Sequence, residues 1–410
     1  MKCEIITDYQ QFQKLRNEWN SLLNQSQSNT AFLTWEWLDA WWQAYRTTEN
    51  LFIILFRNYQ EELVGIAPFV LNVINVNYFF KYKALYFWGL KLGVKESEYL
   101  DIITENGLEE AISGRVVQVL NERCKEWDIL LYYEVPDESL SVGMIKRLAH
   151  SQRWLFKESS HGCSFIKLPE TFGKYIKSLK PRMRTKVRSL PRRLQENHEV
   201  EYKVCITKED LPVTLSSFIG LHQQRWEAVD QLGTFRDPQR QKFYEILSRY
   251  FVENNWLAIF SIKVDGVYRA HEFCFLYNNR LFVLQEGYDV EWERKGIGNV
   301  LRVFVLQYCI DNGLDEYDFL GGVTYHKNCW GVSIKNNVSI TTGRRCLKTM
   351  LYLYTPIIVE WFKIIYRMVV PRKLVQLRIN LANARKAKKA RETVSGEKKK
   401  EKVVINRPVQ

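Results

Sequence analysis

The segment from Trp256 to Gly322 constrains the fold more than any other part of this 410-residue chain. Three apolar runs rich in β-branched and aromatic residues are joined by Asp265-Gly266 and Asn278-Asn279, which are residues typical of tight hairpin turns. The sequence GYDVEWERKGIGNVL follows, and an apolar helix is predicted from Asn299 to Asn312, ended by a glycine. The stretch EYDFLGG then reads as a buried strand. This order predicts an antiparallel meander, a glycine loop, a buried helix and one more strand.

The rest of the chain also alternates between helical and strand patterns, but it has no second glycine loop. Apolar residues at helical or alternating spacing predict the remaining elements. The predicted helices are Asp8–Leu23, Phe32–Tyr45 with Thr34 as its cap, Glu109–Glu126, Lys174–Arg193 with breaks at Pro181 and Pro191, Ser216–Trp226 and Gln239–Val252. The predicted strands are Leu51–Phe56, Leu63–Val73, Trp127–Pro136 and the edge strand HEVEYKVCI. A chain of this length and pattern is expected to form two α/β domains and a tail.

The net charge of +13 is concentrated in two short segments. Residues 171–195 contain nine Lys/Arg and no acidic residue, and residues 372–402 contain twelve Lys/Arg and three Glu, so each carries +9. About −5 remains for the rest of the chain, so the folded part is not a polycation. The first segment is either a solvated linker or a surface for tRNA or anionic lipid. It lacks the interleaved aromatic residues of a single-stranded RNA site.

The eight cysteines stand singly, without a CxxC motif or a Cys/His cluster. This spacing argues against structural zinc, and no metal site is predicted. The first residues, MKCEIITDYQ, contain no apolar core of a signal peptide, so we expect a cytoplasmic protein with reduced thiols.

The order of elements resembles the acetyl-CoA-binding core of the GNAT superfamily. More specifically, the chain is similar to the CelD/BcsL-type proteins with a BioF2-like acetyltransferase domain, which are relatives of the FemABX aminoacyltransferases. The segments that carry the resemblance are FLTWEWLDAWW, LVGIAPFVL, LHQQRW, GTFRDPQRQKFYEIL, EGYDVEWERKGIGNVL and YDFLGGVTYHKNCWG. It implies an α/β (α+β) fold of tandem GNAT-like domains in a FemABX-like arrangement, followed by a helical basic tail. The implied boundaries are 1–165 for a degenerate first domain, 166–345 for the domain with the acyl-CoA loop, 346–379 for an amphipathic segment and 380–410 for a disordered tail.

The glycine loop is the predicted cofactor site. Unpaired N–H groups at a helix N-terminus bind phosphate groups, and glycine lets a ligand approach the backbone. The superfamily pattern Gln/Arg-x-x-Gly-x-Gly/Ala matches here in both glycines, but Glu293 holds the basic position. The resemblance implies that acetyl-CoA or another acyl-CoA contacts Leu284, Arg294, Lys295, Gly296, Ile297, Gly298 and Asn299. The alternative is an ordinary loop between a strand and a helix.

Acyl transfer to an amine needs a proton acceptor, an oxyanion donor and a proton for the leaving thiolate. The resemblance places the oxyanion donor in the backbone of Leu284–Gly287. Glu286 is the first candidate for the general base, and a solvated carboxylate at a strand end is the alternative. His271 is the second candidate, and a packing histidine is its alternative. Tyr325 is a candidate proton donor to the thiolate.

Two groups of residues are candidates for binding the acceptor. His222, Arg225 and Trp226 share one helical face, which is either a substrate surface or a packing face. By resemblance, Asp318, Lys327 and Trp330 lie on the acceptor side, where Lys327 is expected to neutralise a phosphate or carboxylate.

Three functions therefore follow from the sequence. The first is an acyl-CoA-dependent N-acyltransferase that acts on a small amine or amino sugar, implied by resemblance to belong to surface polysaccharide (cellulose-like) biosynthesis. The second is a FemABX-like transferase that uses aminoacyl-tRNA, the one reading with a nucleic-acid partner. The third is a non-catalytic scaffold at the inner membrane. The segment Leu347–Lys389 is aromatic and basic, so it is expected either to touch an anionic membrane or to dock on the protein.

Overall fold

The computed structural model describes residues 1–76, 80–91 and 96–355. The chain divides into two compact units, Met1–Arg345 and Cys346–Gln410. In the second unit a helix begins at Leu347 and its described part reaches Thr355. The predicted tail 380–410 and most of the predicted membrane segment Leu347–Lys389 lie outside the described residues. Within the described ranges, no helix is long and apolar enough to cross a membrane.

The described part of the first 167 residues contains seven strands. The strands are β1 Lys2–Ile6, β2 Asn50–Arg57, β3 Leu63–Val76, β4 Phe80–Phe87, β5 Ile103–Thr104, β6 Ile129–Pro136 and β7 Leu155–Lys167. The α-helices of this part are α1 Tyr9–Lys14, α2 Arg16–Asn24, α3 Trp35–Tyr45, α4 Glu109–Glu122 and α5 Leu140–Ser151. The helix α3 begins as predicted, because the Thr34 side chain accepts a hydrogen bond from the backbone N–H of Trp37 at 3.3 Å.

The following part, up to Gly343, contains the predicted meander. Its strands are β8 Val200–Cys205, β9 Leu257–Val264, β10 Val267–Tyr277, β11 Arg280–Tyr288, β12 Glu316–Gly321 and β13 Ser333–Gly343. Its helices are α6 Phe172–Ser178, α7 Pro181–Asn197, α8 Leu211–Glu227, α9 Pro238–Glu253, α10 Ile297–Asp311 and α11 Tyr325–Asn328. The hairpins turn where Asp265, Asn278 and Asn279 adopt positive φ angles of 52°, 48° and 57°, as their sequence predicts.

One large mixed sheet runs through both predicted halves. Its strand order is β1-β2-β3-β4-β6-β13-β7-β12-β11-β10-β9-β8, with β5 paired to β3. The α/β fold class is therefore confirmed, and β8 lies at the edge as its alternating pattern predicts. The late strand β13 pairs with both β6 and β7, so it joins the two halves of the sheet. The domain boundary at 165/166 stays a prediction, because residues 1–345 form one compact unit.

The basic helix α7 packs beside α10 in the core of this second half. Its apolar residues Met183, Val187 and Leu194 are buried at helical spacing, in the same cluster as Ile297 and Leu301 of α10. The sequence correctly predicted a break at Pro181, which begins α7. It was wrong about Pro191, which lies inside the helix.

Gly287 of β11 lies where the strand passes closest to α8. A Cβ atom at this position would stand 2.8 Å from the backbone nitrogen of His222 and 3.1 Å from the carbonyl oxygen of Phe218. Because backbone atoms cannot move aside as a side chain can, Gly287→Ala is expected to lower the free energy of unfolding by about 1–3 kcal/mol. Urea unfolding followed by tryptophan fluorescence measures this change.

The matched control for this substitution is Gly114→Ala in the interior of α4. A Cβ atom at Gly114 would meet no atom within 4 Å, so alanine should stabilise the helix by about 0.5–1 kcal/mol. If both variants shift in the same direction, the close contact between α8 and β11 is not the cause.

Candidate active site

The strands β11 and β12 pair only at their beginning and then separate. Their parallel pairing covers Arg280 to Phe282 on β11 and Glu316 to Asp318 on β12. On its other edge β11 has a bulge, because Cys274 of β10 pairs with Val283, whereas Phe273 pairs with Gln285. Leu284 is the extra residue. A bulge of this kind redirects the backbone, and such features are common beside active sites.

A cavity of about 350 Å³ opens where the two strands separate, and we call it the β11–β12 cavity. Four residues that the sequence analysis singled out line it, namely Arg225, Leu284, Glu286 and Lys327. The other described lining residues are Glu96, Glu98, Tyr244, Val283, Gln285, Phe319, Leu320 and Gly321. The cavity wall therefore combines residues from both halves of the chain.

Glu286 is held by Arg302, which extends from the helix α10. The Arg302 guanidinium pairs with Glu286 and, at 3.2 Å, with the buried Glu272. The hydroxyl of Tyr317 accepts from Nε of Arg302 at 3.2 Å and donates to Glu272 at 2.9 Å. Burial raises the pKa of Glu272 to about 7, although the charge of Arg302 acts in the opposite direction. This network fixes the position of Glu286 at the cavity wall.

The rings of Phe319 and the predicted Trp330 lie against the same guanidinium. Their centroids are 5.1 and 5.5 Å from the central carbon of Arg302. Trp330 is buried and does not line the cavity. It therefore stabilises the Arg302 network and does not contact a ligand there. The sequence analysis missed Arg302, although one arginine within an otherwise apolar helix was a visible signal.

The end of β12 has an unusual backbone that Lys327 and Asp318 stabilise. Leu320 has φ +58°, and its N–H donates to the Asp318 carboxylate at 2.7 Å. The Lys327 ammonium donates to the carbonyl oxygens of Phe319, Leu320 and Gly321 at 2.9, 3.2 and 2.7 Å. Since an ammonium has three N–H groups, these contacts leave none for the phosphate or carboxylate that the sequence analysis assigned to Lys327. We correct that expectation: Lys327 positions the strand end.

Two carboxyl groups of the cavity wall come from the first half of the chain and were not predicted. Glu98 accepts the backbone N–H of Gly321 at 2.8 Å and the thiol of Cys163 at 3.3 Å. Burial raises its pKa, and the nearby charge of Glu134 adds to the effect. Glu96 instead pairs with Arg240 at 2.8 Å. Among the described residues, no group of three or more His, Cys, Asp or Glu could hold a metal ion.

The predicted substrate face of α8 contacts Gln285, which lines the cavity. His222 lies 3.2 Å from the Gln285 amide and accepts from the indole N–H of Trp226 at 3.1 Å. Burial lowers the pKa of His222 to about 4, with the Arg225 charge acting in the same direction. His222 and Trp226 therefore form a neutral packed pair behind the wall. Of the three predicted residues, only Arg225 lines the cavity.

The glycine loop lies next to this face. The guanidinium of Arg225 is 5.1 Å from the centre of the Tyr288 ring, and a Cβ atom at Gly298 would stand 3.6 Å from that same ring. Gly296 has φ +74°, a conformation that favours glycine, and it is the N-cap residue immediately before α10. The backbone N–H groups of Ile297 and Gly298 have no hydrogen-bond partner among the described residues. They are the unpaired donors that a phosphate group needs.

The side chains around the loop divide into buried and exposed groups. Ile297 packs in the core, whereas Arg294 and Lys295 are exposed, and the Lys295 ammonium lies 3.7 Å from the centre of the Trp292 ring. Asn299 is half-buried. Glu293, at the position where the superfamily has a basic residue, accepts a hydrogen bond from the Tyr288 hydroxyl at 3.2 Å.

Two predicted catalytic residues do not line the β11–β12 cavity. His271 is buried between the hydroxyls of Ser217 and Ser261, at 2.9 and 2.8 Å, and burial lowers its pKa to about 3. It is thus a neutral packing residue, the alternative that the sequence analysis left open. Tyr325 is 78% exposed on the short helix α11.

Comparison with known families supports the fold of the second half. Residues 181–328 match the profile of a family described as an acetyltransferase (GNAT) domain. This range begins at α7 and includes β11, the glycine loop, α10 and β12. No curated protein matches the sequence of the chain.

Solved structures with the same fold have little sequence identity. FemX is 12% identical with a TM-score of 0.59, covering 86% of this chain and 99% of FemX. A conserved protein of unknown function from Bacteroides thetaiotaomicron is 12% identical with a TM-score of 0.53, covering 84% of this chain and 100% of that one. The C-terminal domain of a putative lysylphosphatidylglycerol synthetase from Agrobacterium fabrum is 7% identical with a TM-score of 0.51, covering 84% and 96%. These similarities indicate a shared fold.

Proposed function

We propose that this protein is an N-acyltransferase that transfers an acyl group from acyl-CoA to an amine, because residues 181–328 match the profile of a GNAT-type acetyltransferase domain. The separation of β11 from β12 around a cavity is the observation that carries this proposal. It leaves the backbone of the bulged segment Leu284–Gly287 without a strand partner on the side of β12. The glycine loop adds two unpaired N–H groups for the diphosphate of CoA, which supplies the activated acyl group.

In this proposal the backbone of Leu284–Gly287 holds the carbonyl oxygen on which negative charge develops. Glu98 is the carboxyl group best suited to accept the proton of the attacking amine, because burial raises its pKa and its backbone contact to Gly321 fixes its position. Glu286 supplies a second negative charge, whose position Arg302 fixes. Tyr325 does not line the β11–β12 cavity, so the structure gives no support for its predicted role as proton donor.

Glu98 is the group of the cavity wall that favours an amine as acceptor. Glu96 is already paired with Arg240 and Glu286 with Arg302, whereas Glu98 forms no ion pair among the described residues. Its carboxyl group can therefore accept a hydrogen bond from an amine in the cavity. We propose an acceptor amine such as an amino sugar. From the sequence we also propose that the protein acts in polysaccharide synthesis and is cytoplasmic. We propose further that Leu347–Lys389 contacts an anionic membrane.

Gly298→Glu should abolish the binding of acetyl-CoA. A side chain at Gly298 first meets the edge of Tyr288 at an ordinary 3.6 Å, so the fold should tolerate it. However, a carboxylate would then occupy the helix N-terminus where the diphosphate is expected, and repel it. We expect the dissociation constant to rise at least about tenfold, equivalent to about 1.4 kcal/mol, in isothermal titration calorimetry.

The matched control is Gly298→Ala, which adds the Cβ atom without the charge and should retain acetyl-CoA binding within about threefold. Absence of binding to the wild-type protein would contradict the proposal, as would equal binding to the glutamate variant. If acetyl-CoA binds but no free CoA is released in the presence of a panel of amines, the non-catalytic scaffold would instead be favoured.

A second candidate donor is aminoacyl-tRNA, which the FemABX resemblance implies. The observation in its favour is the position of α7, because Leu190 of this helix lies 3.1 Å from where a Cβ atom at Gly296 would be. The exposed basic residues Arg182, Arg188, Arg192 and Arg193 are on the same helix. Titration with bulk tRNA at low salt, where phosphate contacts are strongest, distinguishes the two donors. Binding of tRNA without acetyl-CoA would favour this candidate.

A further inference from the structure

A second cavity, of about 340 Å³, lies outside the proposed transfer site. It is formed by the loop before α3, the segment from Asp101 to Thr104, the first turns of α4 and α5, and β13. Its volume is within the range of small-molecule sites, about 300–1,000 Å³. Among the described residues it has no lining residue in common with the β11–β12 cavity. We call it the β13 cavity.

Asn337 is the most informative residue of the β13 cavity. It lies within β13 between its neighbours β6 and β7 and is fully buried. Neither the oxygen nor the nitrogen of its carboxamide has a hydrogen-bond partner among the described residues. Because an unpartnered buried polar group costs about 1–3 kcal/mol, a side chain that lines a cavity in this state indicates a polar molecule bound there.

The wall around Asn337 is rich in hydroxyl and carboxyl groups. Ser28, Thr104, Ser113, Ser139 and Ser141 line the β13 cavity, together with Asp101 and Glu109. One carboxylate oxygen of Glu109 is buried and also has no hydrogen-bond partner in the described structure. Ser141 already bonds to Asp101 and Ser139, and Ser28 to the Ile102 carbonyl, so the Asn337 carboxamide and the Glu109 oxygen are the groups left to bind ligand hydroxyls.

The charges of the β13 cavity exclude an anionic ligand. Its two basic residues are already paired, since Lys335 contacts Asp318 at 2.7 Å and Arg280 contacts Glu316 at 3.8 Å. Glu138 lies near the charge of Lys335, but Asp101 and Glu109 form no ion pair within the described part of the chain, and their carboxyl groups disfavour a phosphate or carboxylate.

From this geometry we propose that the β13 cavity is a binding site for a neutral or amine-bearing saccharide. The free carboxamide of Asn337 donates and accepts side by side, so it matches two adjacent hydroxyl groups of a sugar ring. The free oxygen of Glu109 accepts a third hydroxyl or an ammonium group. Binding here is separate from the transfer of the acyl group and does not require acyl-CoA.

The test is a titration of the full chain with three sugars that differ in charge, followed by ligand-observed NMR. Glucose and glucosamine should bind, with glucosamine the tighter, and glucuronate should not. Asn337→Leu removes both polar atoms at similar volume and should weaken the binding of both sugars at least tenfold. Glu109→Gln should remove the preference for glucosamine and keep the binding of glucose.

Folding and the transfer site are checked in the same variants. Asn337→Leu should unfold at an equal or higher temperature, because it removes an unpartnered buried polar group. Its affinity for acetyl-CoA should be unchanged, so a failure of the saccharide site is distinguishable from a failure of the proposed function. Absence of binding by all three sugars, equal binding to Asn337→Leu, or a preference for glucuronate would overturn the proposal and leave a cavity that holds only water.

Discussion

Replacing Arg302 with leucine is expected to lower the free energy of unfolding by about 3–5 kcal/mol. The Arg302 side chain is only 10% exposed, and it is the cation paired with Glu272, whose side chain is 2% exposed, and with Glu286. Leucine would leave the Glu272 carboxyl buried without a positive charge and remove the hydrogen-bond donor to Tyr317. The cost of an unpaired buried charge exceeds that of the lost contacts themselves. Urea unfolding, followed by tryptophan fluorescence, measures it.

A double variant separates the cost of the unpaired charge from that of lost packing. Arg302→Leu with Glu272→Met replaces the pair by apolar side chains, an exchange that is often close to neutral in buried sites. We therefore expect the double variant to be more stable than Arg302→Leu alone. Arg192→Leu on the exposed side of α7 is the control, because its pair with Glu196 is solvated and should contribute no more than about 1 kcal/mol. A loss as large as that of Arg302→Leu in this control would contradict the argument.

The meander, the glycine loop and α10 could be predicted because their signals are local. Turn residues mark each hairpin, and the glycine pair stands between a strand pattern and an apolar helix. The position of β13 could not be predicted in this way. Its residues Ser333 to Gly343 pair with β6 and β7, which lie more than 150 residues earlier in the chain. The eleven residues of β13 contain no pattern that indicates which distant strands they pair with.

The candidate site was predicted only where its residues belong to the second half of the chain. Leu284 and Glu286 lie on β11, and Arg225 lies on α8. Both elements could be predicted from local sequence patterns, and all three residues line the β11–β12 cavity. Glu98 was missed because only the tertiary fold brings the end of β12 to it, through the N–H of Gly321. Glu96 and Glu98 are two positions apart in the sequence, but no helix or strand pattern surrounds them that would predict a shared face.

The sequence could not decide between the two roles of His271, because burial and hydrogen bonding depend on the surrounding elements. The ring is enclosed by Ser217 of α8, Ser261 of β9 and the aromatic rings of Tyr268 and Phe218. Those neighbours carry no charge, so burial alone lowers the pKa of the imidazole. Because His271 does not line the β11–β12 cavity, a base at this position would bind its proton outside the wall that would hold the substrate.

Acid should destabilise the protein through His271 more than through any exposed histidine. Its pKa is about 3 in the folded state, whereas the ordinary value is 6.5, so the unfolded chain binds a proton more readily between these two pH values. The contribution of the neutral ring to stability is therefore complete above about pH 6.5 and is lost as the pH falls. At about 1.4 kcal/mol per pH unit, the loss between pH 6.5 and pH 4 is about 3 kcal/mol.

Other buried groups also titrate in acid, among them His222 and Glu272, so the variant must be compared with the wild type at each pH. His222, with a pKa of about 4, adds to the loss of stability in acid. Glu272 acts in the opposite direction, because its raised pKa of about 7 stabilises the fold below pH 4.5 and this contribution is lost as the pH rises. Both effects are present in both proteins and cancel in the difference.

His271→Gln provides this comparison, since its amide can bond to the neighbouring serine hydroxyls and cannot take up a proton. Relative to the wild type, this variant should gain about 3 kcal/mol as the pH is lowered from 6.5 to 4, whatever its stability at neutral pH. Urea unfolding at half-unit pH steps gives the difference directly. The exposed His326→Gln should follow the wild-type curve. Parallel curves for His271→Gln and the wild type would mean that the buried imidazole does not control the acid sensitivity of this fold.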